Sequence, residues 1–238
     1  MNRLIKLQLI NVFYNKLFYV CLGLTLLMSP ILTFIGSINS TATETLKVFP
    51  QIMSFLSNEV GLMSIIFITL FCCFDFNEGT TKNIVARGYT RTQLLFSKYT
   101  VSLIGIFTMY IITTLLTFIL FINNGIGYES SMLYPLINSI VGIIAYTIFY
   151  ATMSYLLEKN GSAIIACLFV PTIIPAILGL IDSKLNLSIS KIWIDNVSSK
   201  FITNPTLSNL GLSILFYVIY IVLFIIIGIK LLKKKEIK

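Results

Sequence analysis

Histidine is absent from this sequence, which removes the commonest metal ligand and the commonest general base at neutral pH. The four cysteines, Cys21, Cys72, Cys73 and Cys167, all fall inside apolar stretches. A free thiol there behaves as a small hydrophobe, so neither a disulfide framework nor a metal site is expected. No G-x-x-x-x-G-K-[ST] phosphate loop occurs, and the chain is not expected to hydrolyse ATP by itself. What remains is a run of charges between two apolar stretches (Glu78, Lys82, Arg87 and Arg91), an isolated acid at Glu59, and a short polar turn from Glu158 to Gly161. Such groups can make polar contacts with a partner, but they do not assemble a nucleophile with its base. The sequence therefore reads as that of no enzyme.

The elements that hold these groups follow from composition. Hydrophobic residues make up 57% of the chain and charged residues 11%, with a mean hydropathy of +0.93, whereas soluble domains carry charge on about a quarter of their residues. A bilayer core of about 30 Å needs about 20 apolar residues in a helix. Six charge-free intervals approach or exceed that length, Lys16 to Glu44, Glu59 to Asp75, Lys98 to Glu129, Glu129 to Glu158, Lys159 to Asp182 and Lys200 to Lys230. They are long and continuously apolar, unlike the weakly alternating strands of membrane barrels. The expected fold is all-α, a single polytopic membrane domain over residues 1–238 with spans near 17–36, 53–74, 98–122, 132–157, 162–181 and 208–229. The first apolar stretch, Leu17 to Ile35, is too long for a cleaved signal and lacks a nearby small-residue cleavage site, so it reads as a retained span.

The net charge of +8 has a distribution that speaks to topology. With the N-terminus inside, only Lys47, Lys184, Lys191 and Lys200 of the 17 basic residues fall outside. The positive-inside rule then puts both termini in the cytosol, which requires an even number of crossings. The basic tail from Lys230 reads as a flank that meets anionic headgroups. No aromatic-basic interleaving supports a nucleic-acid partner.

Three segments outside the spans carry local signals. In the loop 75–97, Asn77 is placed to cap a short helix over 78–87, with Glu78 and Lys82 at i,i+4 in the favourable order. Gly88 suits its stop, and Thr90 with Gln93 matches a capping box that opens the next helix. Only fifteen residues, about 22 Å of helix, separate Glu59 from Asp75. Glu59 must therefore lie in the outer part of the second span, either as a cavity-lining carboxylate or as an interfacial residue hydrated from outside. Pro171 and Pro175 each remove a backbone donor from the fifth span, where a kink is expected. Beyond it, Ile189, Ile192, Trp193, Val197 and Phe201 recur at near-helical spacing within the outer segment 182–209. They read as an amphipathic helix on the outer surface, with Trp193 at headgroup depth. The stretch Asn2 to Asn15 has no clear apolar face.

Six spans in about 240 residues, a first long cytosolic loop with Glu78, Gly79, Thr80 and Lys82 followed by Arg91 and Lys98, and an outer segment before the last span together resemble the permease subunits of ATP-binding cassette (ABC) type 2 exporters. Among these the chain is most similar to the small Firmicute permeases that export, or give immunity to, antimicrobial and toxin peptides. The plan covers essentially the whole chain; the sharper motif covers only 78–98. The resemblance implies a half-transporter in the bacterial cytoplasmic membrane, with two copies (or one copy and a close paralogue) forming the path and two separate ATPase subunits beneath, which bind the ATP and Mg. It also implies that 78–87 is a coupling helix, with Glu78, Lys82, Arg87 and Arg91 as its polar contacts. The turn at Glu158 becomes a second contact, and the segment around Trp193 an external gate.

The spans themselves lack ionisable groups apart from Glu59, which argues against the alternative, an ATP-independent secondary transporter or channel component. A path lined by aliphatic and aromatic side chains with scattered Ser, Thr, Asn and Tyr suits an amphipathic peptide, or a lipid-like antibiotic, drawn from the bilayer.

Overall fold

A computed structural model describes residues 2–37, 42–123, 132–185, 193 and 206–234. Among these the chain forms eight helices and no strand: α1 (Asn2–Tyr14), α2 (Lys16–Ser37), α3 (Ala42–Asn77), α4 (Thr80–Ala86), α5 (Arg91–Asn123), α6 (Leu133–Leu157), α7 (Asn160–Leu185) and α8 (Leu207–Lys234). Five contain stretches long and apolar enough to cross a membrane, Ile52–Asn77, Arg91–Leu120, Leu133–Leu157, Asn160–Lys184 and Leu207–Lys230. Residues 3–14 and 16–28 pass the same test only together, bent by 59° at the break between them, and count as a sixth span if they form one broken crossing. The fold is thus that of an all-helical, polytopic membrane protein.

The first span departs from expectation. Residues 2–15 do have a buried face, because Leu4, Gln8 and Val12, spaced by four, are all buried, and α1 packs mainly against α5. The break after Tyr14 is made by Asn15, whose side-chain Oδ1 accepts the Leu17 N–H at 3.0 Å and so caps α2. A polar residue inside the stripe, Gln8, is what hides this face from a hydropathy reading.

Spans two to six are organised around α6, which packs against α3, α5, α7 and α8. Its buried surface is rich in small residues, including Ser139, Gly142, Ala145, Ala151 and Ser154, which let helices approach closely where lipid leaves packing as the main attraction. An ideal Cβ at Gly142 would already meet the Tyr217 hydroxyl of α8 at 3.3 Å. Burial falls off sharply to one side. The apolar stretch of α6 is 61% buried within the chain, whereas α8 reaches 17% and α7 only 6%. The outward faces of α7 and α8 therefore meet lipid or another protein.

Charge does not end the spans where expected. Helix α3 runs through Asp75 to Asn77, and α5 begins at Arg91, seven residues before Lys98. The expectation that Glu59 is the only ionisable group in the spans is corrected accordingly: Asp75 and Lys98 both lie inside crossing-length helices. They neutralise each other across 2.8 Å, so neither needs to leave the bundle.

Candidate functional site

Two places concentrate polar groups. The first is the connection between α3 and α5. Asp75 sits two residues before the end of α3, and its carboxylate is held from both sides. Lys98 of α5 approaches Oδ2 at 2.8 Å, and the Thr80 hydroxyl, at the start of α4, donates to Oδ1 at 2.9 Å. The Thr81 hydroxyl donates to the Asp75 carbonyl, also at 2.9 Å. Lys98 spends a second donor on the Phe71 carbonyl at 3.0 Å, and its ammonium lies 3.7 Å from the Phe71 ring centroid. One carboxylate thus ties α4 to both spans that flank it. The ammonium is only 2% exposed, and its hydrogen bonds offset the cost of taking the pair out of water.

The short helix begins later than the sequence suggested. Asn77 is the last residue of α3, Glu78 lies in the turn, and Gly79 stands at the N-cap with φ +65°, a conformation that disfavours any side chain. The i,i+4 pairing of Glu78 with Lys82 within one helix is therefore not formed, because the apolar α3 carries on through Asn77 and consumes the residue meant to cap α4. Downstream the signals hold. Gly88 stops the segment at φ +87°. The capping box is present, with the Thr90 N–H donating to Gln93 Oε1 at 3.0 Å and the Gln93 N–H to Thr90 Oγ1 at 3.3 Å. Glu78, Lys82 and Arg87 are exposed, and Arg91 is half-buried.

The Glu158 turn stands at the same end of the bundle. Phe76 and Tyr155 meet edge to face at 5.0 Å, and the Cys73 thiol lies 3.5 Å from the Ser154 carbonyl, which joins the end of α3 to the end of α6. Glu158 itself adopts φ +59°, the only described non-glycine residue at positive φ. The structure therefore brings together Glu78, Gly79, Thr80, Lys82, Arg87, Arg91 and Glu158 on one end.

The second place is a cavity of about 490 Å³ between α3, α6, α7 and α8. Helix α3 supplies Ser57, Asn58, Val60 and Ser64, α6 supplies Asn138, Ser139 and Tyr150, and α7 supplies Leu168, Pro171 and Thr172. Among the described residues that line it, none carries a charge. Glu59 is half-buried on α3 and does not line the cavity, although both of its neighbours do. Pro171 lies on the cavity wall and Pro175 does not, and α7 continues as one helix through both prolines. The polar signal that sequence reasoning passed over is Asn138 with Ser139, two adjacent hydrogen-bonding residues inside a span. Asn138 meets Ser213 of α8, 2.7 Å between oxygens, and Ser139 meets the Tyr110 hydroxyl of α5.

Trp193 lies apart from the cluster around Asp75 and beside the cavity. It packs edge to face on Tyr220 at 5.9 Å and faces a small gap lined also by Tyr146, Phe149, Pro171 and Phe224. The midpoints of the crossing stretches of α6, α7 and α8 fall at residues 145, 172 and 218–219, so these partners are mid-span residues. They are not residues of the span ends, where an indole at headgroup depth would find its neighbours. Aromatic partners on α6 and α8 hold the indole within the bundle. The other residues of the expected outer amphipathic helix, Ile189, Ile192, Val197 and Phe201, lie outside the described residues.

Over residues 9–238 the chain matches a family described as "Protein of unknown function (DUF2705)". No curated protein matches it.

Proposed function

The chain belongs to the DUF2705 family, and we propose that it is the transmembrane subunit of an ATP-driven exporter. The observation that carries this reading is the carboxylate of Asp75, which fixes α4 simultaneously to α3 and α5. Beyond stabilising the connection, such a clamp makes α4 rigid with respect to both spans. A short element that must transmit a push from a partner into two spans requires it. Glu78, Lys82 and Arg87 are presented to solvent at that end, and the Glu158 turn stands beside them. The partner is a cytosolic ATPase that binds ATP and Mg, and this chain itself performs no catalysis.

In this reading both termini are cytosolic, the membrane is the bacterial cytoplasmic membrane, and two copies, or one copy with a close paralogue, form the path above two ATPase subunits. The poorly buried faces of α7 and α8 supply apolar surface for that second copy. The cargo is an amphipathic peptide drawn from the bilayer. The Asp75 and Lys98 pair does not favour an ion-coupled secondary transporter, since both side chains are held by hydrogen bonds at the end of the bundle and neither lines the 490 Å³ cavity.

The test is co-expression with a phosphate-loop ATPase encoded beside this chain. A complex of two plus two should purify, and Glu78→Ala or Lys82→Ala should lower peptide-stimulated ATP hydrolysis while leaving insertion unchanged, because exposed charges contribute only about 0.5 kcal/mol to stability. A monomer that moves its cargo without ATP would overturn the proposal.

A further inference from the structure

The cavity between α3, α6, α7 and α8 has the size of a small-molecule site, its 490 Å³ falling within the roughly 300–1,000 Å³ of ligand pockets. Its walls mix apolar side chains, such as Val60, Ile65, Ile143, Leu168 and Pro171, with serine, threonine and asparagine side chains and three tyrosines. One polar group on these walls is not accounted for by the protein. Asn138 is 5% exposed, and its amide makes a single hydrogen-bond contact, to the Ser213 hydroxyl. That hydroxyl has one proton and also lies 2.9 Å from the Leu210 carbonyl. Whichever end of the Asn138 amide meets Ser213, the other end is left without a protein partner. That free end opens onto the cavity, where a ligand can reach it. On the facing wall Asn58 of α3 also lines the cavity.

We infer that the cavity binds an uncharged, lipid-like molecule whose hydroxyl or amide head pairs with Asn138 and whose apolar part lies against Val60, Ile65, Ile143 and Leu168. The lack of charge on the described lining residues decides the class. A phosphate or carboxylate head placed there has no counter-charge, and an unpaired buried charge is far costlier than an unpaired amide. A neutral head with one donor and one acceptor satisfies the amide without that penalty, and the apolar side chains among the lining residues complement a short hydrocarbon portion. The site lies within a single copy and does not rest on the coupling to an ATPase.

Trp193 is the only tryptophan, and its neighbours Tyr146 and Pro171 line both its own gap and the cavity, so its fluorescence reports occupancy. The purified full chain in neutral detergent is titrated with a monoacylglycerol, with the fatty acid of the same chain length at pH 8, and with phosphatidylglycerol. Gly61 also lines the cavity, and a Cβ built there meets nothing within 4 Å, so Gly61→Leu fills the space without displacing a wall. The expected result is a saturable shift in Trp193 emission with the monoacylglycerol. The two charged lipids should bind at least about ten-fold more weakly. Asn138→Leu should weaken the monoacylglycerol about ten-fold and Gly61→Leu should abolish the response, with Ser57→Leu as the second filling variant should Gly61→Leu lose its helical signal. A response of equal strength from the fatty acid, an unchanged response in a folded filling variant, or no saturable response at all would overturn the inference and leave the cavity to water.

Discussion

The carboxylate of Asp75 and the ammonium of Lys98 meet at 2.8 Å where α3 and α5 are joined by α4, twenty-three positions apart in sequence and tied to α4 by Thr80. Removing one partner leaves the other buried and charged, whereas removing both leaves an apolar contact beside Phe71. Lys98→Met should therefore destabilise the protein by about 3–5 kcal/mol. Asp75→Leu combined with Lys98→Met should recover most of that loss. Thermal unfolding in detergent measures both, and a double variant no more stable than Lys98→Met would mean that the pair is not the stabilising unit.

A second close approach joins α5 to α8. The Tyr99 hydroxyl is bonded to Thr152 of α6 at 2.7 Å, and a Cβ at Gly228 would lie 2.7 Å from that same oxygen, with Leu95 and Thr152 closing in at 3.3 and 3.5 Å. Gly228→Ala should cost about 1–3 kcal/mol by overpacking. Tyr99→Phe removes the nearest atom, so the double variant should lose less than the sum of the two single changes. Strict additivity in thermal unfolding would show that the hydroxyl is not what Gly228 makes room for.

Glu158 ends α6 in a left-handed conformation, φ +59°, where an L-residue with a Cβ pays about 1–2 kcal/mol relative to the right-handed region. Glu158→Gly should raise stability by about 1 kcal/mol, and Glu158→Val should lower it. If Glu158 touches an ATPase, the glycine variant will be the more stable protein and the less active complex. A glycine variant that loses stability would place the value of Glu158 in its own contacts within the turn.

Spans were legible where apolar runs were uninterrupted, as in α6 and α8, and so were the Gly88 stop and the Thr90 and Gln93 box, because these are decided within a few residues. The end of α3 was not, since Asp75 looks like a boundary until Lys98 is known to lie beside it, and that pairing is a tertiary fact. The buried face of α1 was masked by Gln8 for a similar reason, its environment being set by α5. The cavity was illegible as a cavity, although Asn138 beside Ser139 inside a span was a signal that a buried polar pair has somewhere to go. The prolines of α7 marked a real wall residue at Pro171 but said nothing of which helix faces it.

The last expectation concerns depth. A tryptophan in a loop between two spans ordinarily settles at the membrane interface, where its ring is buried and its N–H stays wet. Trp193 instead packs on Tyr220 and beside Pro171 and Phe224, all close to the midpoints of their spans. Tyr220 stacks in turn on Phe224 at 6.1 Å, and Phe224 meets Phe149 at 4.9 Å, so the indole terminates an aromatic column that runs into α6. Such rings bury large areas, and each contact adds about 0.5–1.5 kcal/mol beyond the area term, enough to favour the bundle over the interface. In vesicles, Trp193 should emit at short wavelength. It should be quenched more strongly by lipids brominated midway along the acyl chain than by lipids carrying a quencher on the headgroup, and Tyr220→Ala should shift the emission to longer wavelength. Stronger headgroup quenching, with no change in Tyr220→Ala, would return Trp193 to the interface.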